Sequence, residues 1–114
     1  MRFKSVLLAL ALVLALSGQA LAARTMVHFF VVPATIAEEK LHAFNAFLVR
    51  TAGGFTVSRS TGADTASFGA AYAPENLSYT VAAPKNIGKE IKAYLKKNCG
   101  EKDVFLLVWP ADRP

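Results

Sequence analysis

The stretch from Thr35 to Gly54 constrains this chain more than any other, because its start, its periodic face and its stop can all be read from the residues. Thr35 and Glu38 stand three positions apart, as the members of a capping box do. In such a box the hydroxyl and the carboxylate each satisfy a backbone N–H that the first turn leaves without a partner. Ala37, Leu41, Phe44 and Leu48 recur at helical spacing, Phe47 widens the stripe, and Gly53-Gly54 supplies the left-handed residue that ends a helix. The spacing predicts a helix over 35–52 with one broad apolar face, so the rest of the chain must supply a surface that covers it. What the stretch carries is packing, with no chemistry of its own.

The N-terminus sets the compartment. Arg2 and Lys4 precede an apolar run from Val6 to Leu16, and Ala20-Leu21-Ala22 follows with the small residues of a cleavage site. The run is far shorter than the roughly twenty residues that a membrane-crossing helix needs, so residues 1–22 read as a cleaved signal peptide and not as a retained anchor. No twin arginine is present, and Ala23 stands where a lipid-anchored protein would need a cysteine. The expected product is a periplasmic or secreted protein with no transmembrane anchor after cleavage. Residues 23–114 make one small α+β domain of about ninety residues, near the size at which a single core is barely sufficient. The single cysteine, Cys99, excludes an intramolecular disulfide, so the core or an oligomer must do the stabilising. Arg2 and Lys4 leave with the signal, lowering the net charge from +5 to +3. That charge is mild, and no nucleic-acid partner is expected from it.

Along the remaining chain, Met26–Val32 is a β-branched and aromatic run closed by Pro33. Val27, Phe29 and Val31 alternate with His28, Phe30 and Val32, so both rows are apolar, as in a central strand. After the first helix, Phe55, Val57 and Arg59 alternate with Thr56, Ser58 and Ser60 in a half-buried strand. Thr61-Gly62-Ala63-Asp64 reads as a turn, Ala66–Tyr72 as a weak strand containing Gly69, and Pro74-Glu75-Asn76 as a break. Leu77, Tyr79 and Val81 mark the next strand, up to Pro84. Ile87, Ile91, Tyr94 and Leu95 then share one face of a second helix between Lys85 and Asn98, with Gly100 as its stop. Gly88 weakens its first turn by about 1 kcal/mol relative to Ala, so packing must hold it. Asp103–Trp109 is the last strand, with Val104, Leu106 and Val108 opposing Phe105, Leu107 and Trp109, and Pro110 as its expected end.

This order of elements is that of a ferredoxin-like α+β sandwich, an antiparallel sheet with two helices on one face. Right-handed crossovers place the first and last strands side by side or near the sheet centre. One sheet face then meets the helices, and the other exposes Phe30 and Val32 together with Phe105, Leu107 and Trp109. A monomer does not ordinarily leave such a patch in water, so a homodimer packed sheet against sheet is expected.

The Phe-rich first strand and the aromatic helix lead into Gly54-Phe55-Thr56-Val57, with Gly62 eight residues after Gly54 and Gly69 beyond it. A strand ending at Pro84 and a helix leading into Gly100-Glu101-Lys102-Asp103-Val104 complete the pattern. In these features the chain resembles a family of small exported bacterial domains known only as a domain of unknown function. The resemblance covers most of residues 23–114 and implies the fold and export. It implies nothing about chemistry.

The residues that could carry chemistry are few. His28, His42 and Cys99 are isolated from one another, with no Cys-x-x-Cys or His-x-x-x-His pair, and no cofactor or metal is expected. His28 and His42 each read as hydrogen-bonded or half-exposed histidines, and His28 is also a candidate ligand contact. Cys99 ends a helix, where the dipole disfavours the thiolate, and stands as a small helix-end residue, a redox-sensitive or dimer-linking thiol, or a catalytic nucleophile. Lys85, Lys89, Lys92 and Lys96 line one helix face, either as a solvated face or as a contact for an anionic envelope component. Arg59 is a snorkelling side chain or, beside Ser58, Ser60 and Thr61, an anion anchor. No Gly-x-Ser-x-Gly, P-loop or dinucleotide fingerprint occurs, so the enzyme case is weak.

The sequence therefore points to an exported binding or interaction module, dimeric through its open sheet face. Two alternatives stand beside it. One is a small dimeric enzyme or ligand-binding protein with a pocket between helices and sheet, lined by Phe29, Phe44, Phe68 and Tyr79 with His28 or Arg59 as the polar group. The other is a basic adaptor for an anionic envelope component.

Overall fold

The computed structural model describes residues 23–62 and 75–114. The signal segment, the weak strand at Ala66–Tyr72 with Phe68 and Gly69, and Asp64 lie outside the described residues. The elements are β1 (Ala23–Pro33), α1 (Glu38–Ala52), β2 (Thr56–Thr61), β3 (Glu75–Ala83), α2 (Gly88–Cys99) and β4 (Leu106–Arg113). The four strands form one sheet in the order β2-β3-β1-β4, with every pair antiparallel. Both helices pack on one face, which makes the chain a ferredoxin-like α+β sandwich. β1 and β4 are neighbours, as right-handed crossovers allow.

The strands run past the prolines that were expected to break them, and the ladder explains why. Val31 N–H donates to the Phe105 carbonyl, so the odd-numbered residues of β1 turn their backbone groups toward β4. Pro33 therefore lacks a donor on the side where β4 has already ended, and β1 includes it. By the same alternation Pro110, opposite Met26, turns its missing N–H to the outer edge of the sheet, where no ladder bond is lost. β4 accordingly continues to Arg113 instead of ending at Pro110. Glu75 and Asn76, expected as a break, open β3 opposite Thr61 and Ser60.

The first helix also starts later than its expected cap. α1 begins at Glu38 behind Ala37, whose side chain makes no cap, and the Lys40 and Leu41 N–H groups both return to the Ala37 carbonyl at 3.0 Å. Thr35 lies exposed in the turn between, so the capping box with Glu38 does not form. Glu38 and Glu39 remain in the first turn, where the helix dipole favours them. The stop is as read: Gly53 has φ 91°, and its N–H returns to the Val49 carbonyl at 2.9 Å.

α2 starts at Gly88 and not at Lys85. A Cβ on Gly88 would stand 3.0 Å from Asn86 Oδ1 and 3.2 Å from Leu106 Cδ2, so glycine lets the helix start press onto β4. Asn86 Oδ1 accepts the Gly88 N–H at 2.9 Å, satisfying one first-turn donor. The helix ends at Gly100, φ 72°.

Phe30, Val32, Phe44, Leu48, Tyr79, Val81, Ile87, Ile91 and Leu95 form the core between helices and sheet. Its centre is aromatic: Phe30 stacks on Tyr79 with ring centroids 5.1 Å apart, and Phe44 meets both rings edge-on at 5.8 and 5.5 Å. Phe47 and Tyr94 stack at 4.5 Å where α1 meets α2.

Candidate functional site

The register assigns every strand residue to a face, because directly paired residues of antiparallel strands share one. Phe30 pairs with Tyr79 and with Leu106, and Phe30 and Tyr79 are core residues. The row His28, Phe30 and Val32 is therefore the covered one. The expectation that Phe30 and Val32 lie on the open face is reversed: they are 0% and 1% exposed. The open row of β1 is Val27, Phe29 and Val31, beside Trp109, Leu107 and Phe105. Phe105, Leu107 and Trp109 are 59%, 49% and 42% exposed, on the face expected of them.

Across the rest of that face the chemistry changes. Phe29 pairs with Thr80 and Val31 with Ser78, and these pair in turn with Thr56 and Ser58. Ser60 and Ser78 join through their hydroxyls at 2.6 Å. The open face is thus an apolar half on β4 and β1 and a hydroxyl half on β3 and β2. Neither half carries a charged side chain between Val27 and Val31, Phe105 and Trp109, or Ser78 and Thr80.

His28, a candidate ligand contact by sequence, is turned into the covered face. It is wholly buried, with Nδ1 at 3.1 Å from the Val81 carbonyl and Nε2 accepting the Ile87 N–H at 2.9 Å. These partners define the neutral Nδ1–H tautomer, since Nδ1 must donate to a carbonyl and Nε2 must accept from an N–H. The ring ties β1 to β3 and holds a backbone donor just ahead of α2. Arg59 lies on β2, which is an exposed edge strand and less buried than its alternation suggests. Its Nη1 meets Glu75 Oε2 at 3.2 Å, and both side chains are largely in solvent.

Cys99 is half-buried at the end of α2. Burial pushes its thiol above the ordinary range, Lys40 pulls it partly back, and Glu101 pushes it up again. At neutral pH it is held as the thiol, a poor nucleophile. Lys85, Lys89, Lys92 and Lys96 are all exposed. His42 is exposed on α1, far in sequence and setting from His28. Among the described residues no group of three His, Cys, Asp or Glu side chains is placed to hold a metal. No described helix is long and apolar enough to cross a membrane.

The pocket expected between helices and sheet is filled by side chains. Phe44 and Tyr79 are packed in the aromatic core, Phe29 belongs to the opposite face, and Phe68 lies outside the described residues. A cavity of about 450 Å³ opens instead at a corner of the sheet, where Gly53, Gly54 and Phe55 meet Thr56, Thr80 and Arg113.

No family model and no curated protein matches the chain. Among solved structures it is similar to a DUF3240 family protein from Shewanella baltica OS155, with a TM-score of 0.48 and 10% identity over 78% of this chain and 90% of that one. It is also similar to a dinuclear metal binding peptidase of the M20 family from Bacillus subtilis, with a TM-score of 0.36 and 8% identity over 78% of this chain. The chain spans 26% of that peptidase's length.

Proposed function

We propose that this protein is an exported interaction module that pairs with a second copy of itself, sheet against sheet, through the open face. The observation that carries the reading is the exposure of Phe105, Leu107 and Trp109 in one row beside the Val27, Phe29 and Val31 row. Large apolar side chains gathered on one flat surface favour a partner over water. The partner of matching chemistry is another copy. The stretch from Val27 to Val31 beside Phe105 to Trp109 carries no charge on this face, so two copies can meet there across a two-fold axis without like-charge repulsion. The signal-like N-terminus, with Arg2, Lys4, the Val6–Leu16 run and Ala20-Leu21-Ala22, supports export.

The test is static light scattering of the mature chain at micromolar concentration. Wild type gives twice the chain mass, and Leu107→Asp, which buries a charge only in the dimer, gives the chain mass with an unchanged circular dichroism spectrum. A clean wild-type monomer overturns the proposal.

A further inference from the structure

The densest positive charge of the molecule lies on the helix layer, away from the open sheet face. Lys89, Lys92 and Lys96 are exposed on α2 at three- and four-residue spacing, while Ile91 and Leu95 of the same helix are buried in the core. Lys85, also exposed, stands in the bend three residues ahead of the helix. At a rise of about 1.5 Å per residue, the lysines of the helix follow one another in steps of roughly 4.5 to 6 Å. Glu90, the acidic residue of the first turn, falls roughly 100° round the helix from Lys89 and stays out of the row. The two ion pairs found among the described residues join Arg24 to Asp112 and Arg59 to Glu75, so neither engages these lysines.

The form of this patch identifies its partner. A lipid surface presents charge in two dimensions, whereas this patch is long and narrow, broadened only at its end, where Lys97 is exposed beside Lys96. Its match is a linear polyanion whose charges also come in single file. No aromatic side chain interrupts the row, so there is no platform on which bases would stack, and backbone charge alone is recognised.

We infer that α2 docks a linear polyanion along Lys85, Lys89, Lys92 and Lys96, and that the dimer, carrying one such row on each outer side, cross-links polyanion chains. The cross-linking rests on the sheet-to-sheet reading given above. In that arrangement the helix layers face outward, so the two rows cannot both lie along the same straight stretch of polymer. Two rows on separate chains add avidity without any new contact.

Long-chain inorganic polyphosphate is the probe. Wild type binds it, raises light scattering at intermediate ratios, clears again at excess polymer, and releases it in half-molar salt, where such attraction is screened. The double variant Lys89→Glu/Lys92→Glu keeps the dimer mass and binds at least about tenfold more weakly. Leu107→Asp keeps the affinity per chain and loses the cross-linking. A wild-type dimer that ignores polyphosphate, or binds equally well after charge reversal, overturns the docking row and leaves the dimer standing. A wild-type monomer that binds without cross-linking overturns the two-sided arrangement together with the dimer. Binding to phosphatidylglycerol vesicles in place of polyphosphate assigns the row to a membrane and overturns the polymer reading.

Discussion

On β1, Phe30 has no exposed surface, while its neighbour Phe29 is only partly buried and stands on the other side of the same strand. Phe30 lies against the rings of Tyr79 and Phe44, whereas Phe29 lies between Leu107 and Thr80 on a face that neither described helix covers. Two identical side chains one residue apart thus belong to different surfaces, one within the chain and one proposed to meet a second copy. The teaching is that hydrophobicity does not assign a residue to a core; its register does. The sharpest test is the pair Phe30→Ala and Phe29→Ala in urea titration at high dilution. Phe30→Ala costs about 3–5 kcal/mol, the range for an aromatic removed from a packed core. Phe29→Ala costs about 1 kcal/mol or less in the monomer, with any larger cost appearing only as concentration rises. Equal costs at high dilution would break the distinction between the faces.

The same distinction shows what the amino-acid order makes legible. The element types, the antiparallel sandwich, and the Gly53 and Gly100 stops follow from periodicity and turn chemistry, because each depends on residues within one or two turns. The face of β1 does not follow, since Val27, Phe29 and Val31 are as apolar as Phe30 and Val32, and the covered row even includes the polar His28. Only pairing with Tyr79, far along the chain, decides between them. β4 posed the same ambiguity, and there the bulkier row, Phe105, Leu107 and Trp109, is the open one. Lys89, Lys92 and Lys96 are legible outright, as helical spacing alone aligns them, whereas Lys85 lies ahead of the helix. The Pro110 edge is not legible, since which edge a missing N–H faces is a property of the ladder.

His28 gives the next largest effect within the covered face. Its ring satisfies the Val81 carbonyl and the Ile87 N–H, both in the buried interior. His28→Leu fills similar space, leaves the Ile87 N–H without a partner and takes from the Val81 carbonyl its side-chain donor, at a cost of about 1–3 kcal/mol. Amide hydrogen exchange at Ile87 should accelerate with it. A stable His28→Leu protein with Ile87 still protected would remove the histidine from the frame.

Tyr79 brings pH into the comparison. Burial pushes its phenol above the ordinary value of 10.0, while its hydroxyl donates to Asn45 Oδ1 at 2.7 Å. A folded-state value above the unfolded one gives stability that is fully present below the unfolded value and lost as pH rises through the folded value. Urea midpoints should therefore hold at neutral pH and fall on the alkaline side, above roughly pH 10. In Tyr79→Phe that alkaline fall should be smaller, although the lost hydrogen bond lowers the starting stability by about 1 kcal/mol. An undiminished fall in Tyr79→Phe would place the titrating group elsewhere.

The smallest effect belongs to the edge of the sheet. Arg59 and Glu75 sit diagonally across β2 and β3 with side chains 79% and 68% exposed, so water and salt screen their attraction at 3.2 Å. Arg59→Ala should therefore change stability by no more than about 0.5 kcal/mol. The aliphatic stem of Arg59, beside Leu77 in the register, accounts for whatever part of that loss persists in high salt. The salt dependence separates the two contributions, since only the ionic one fades. A loss of several kcal/mol, insensitive to salt, would mean that this edge is covered by something in solution, and the contrast between a packed centre and an open margin would have to be redrawn at β2.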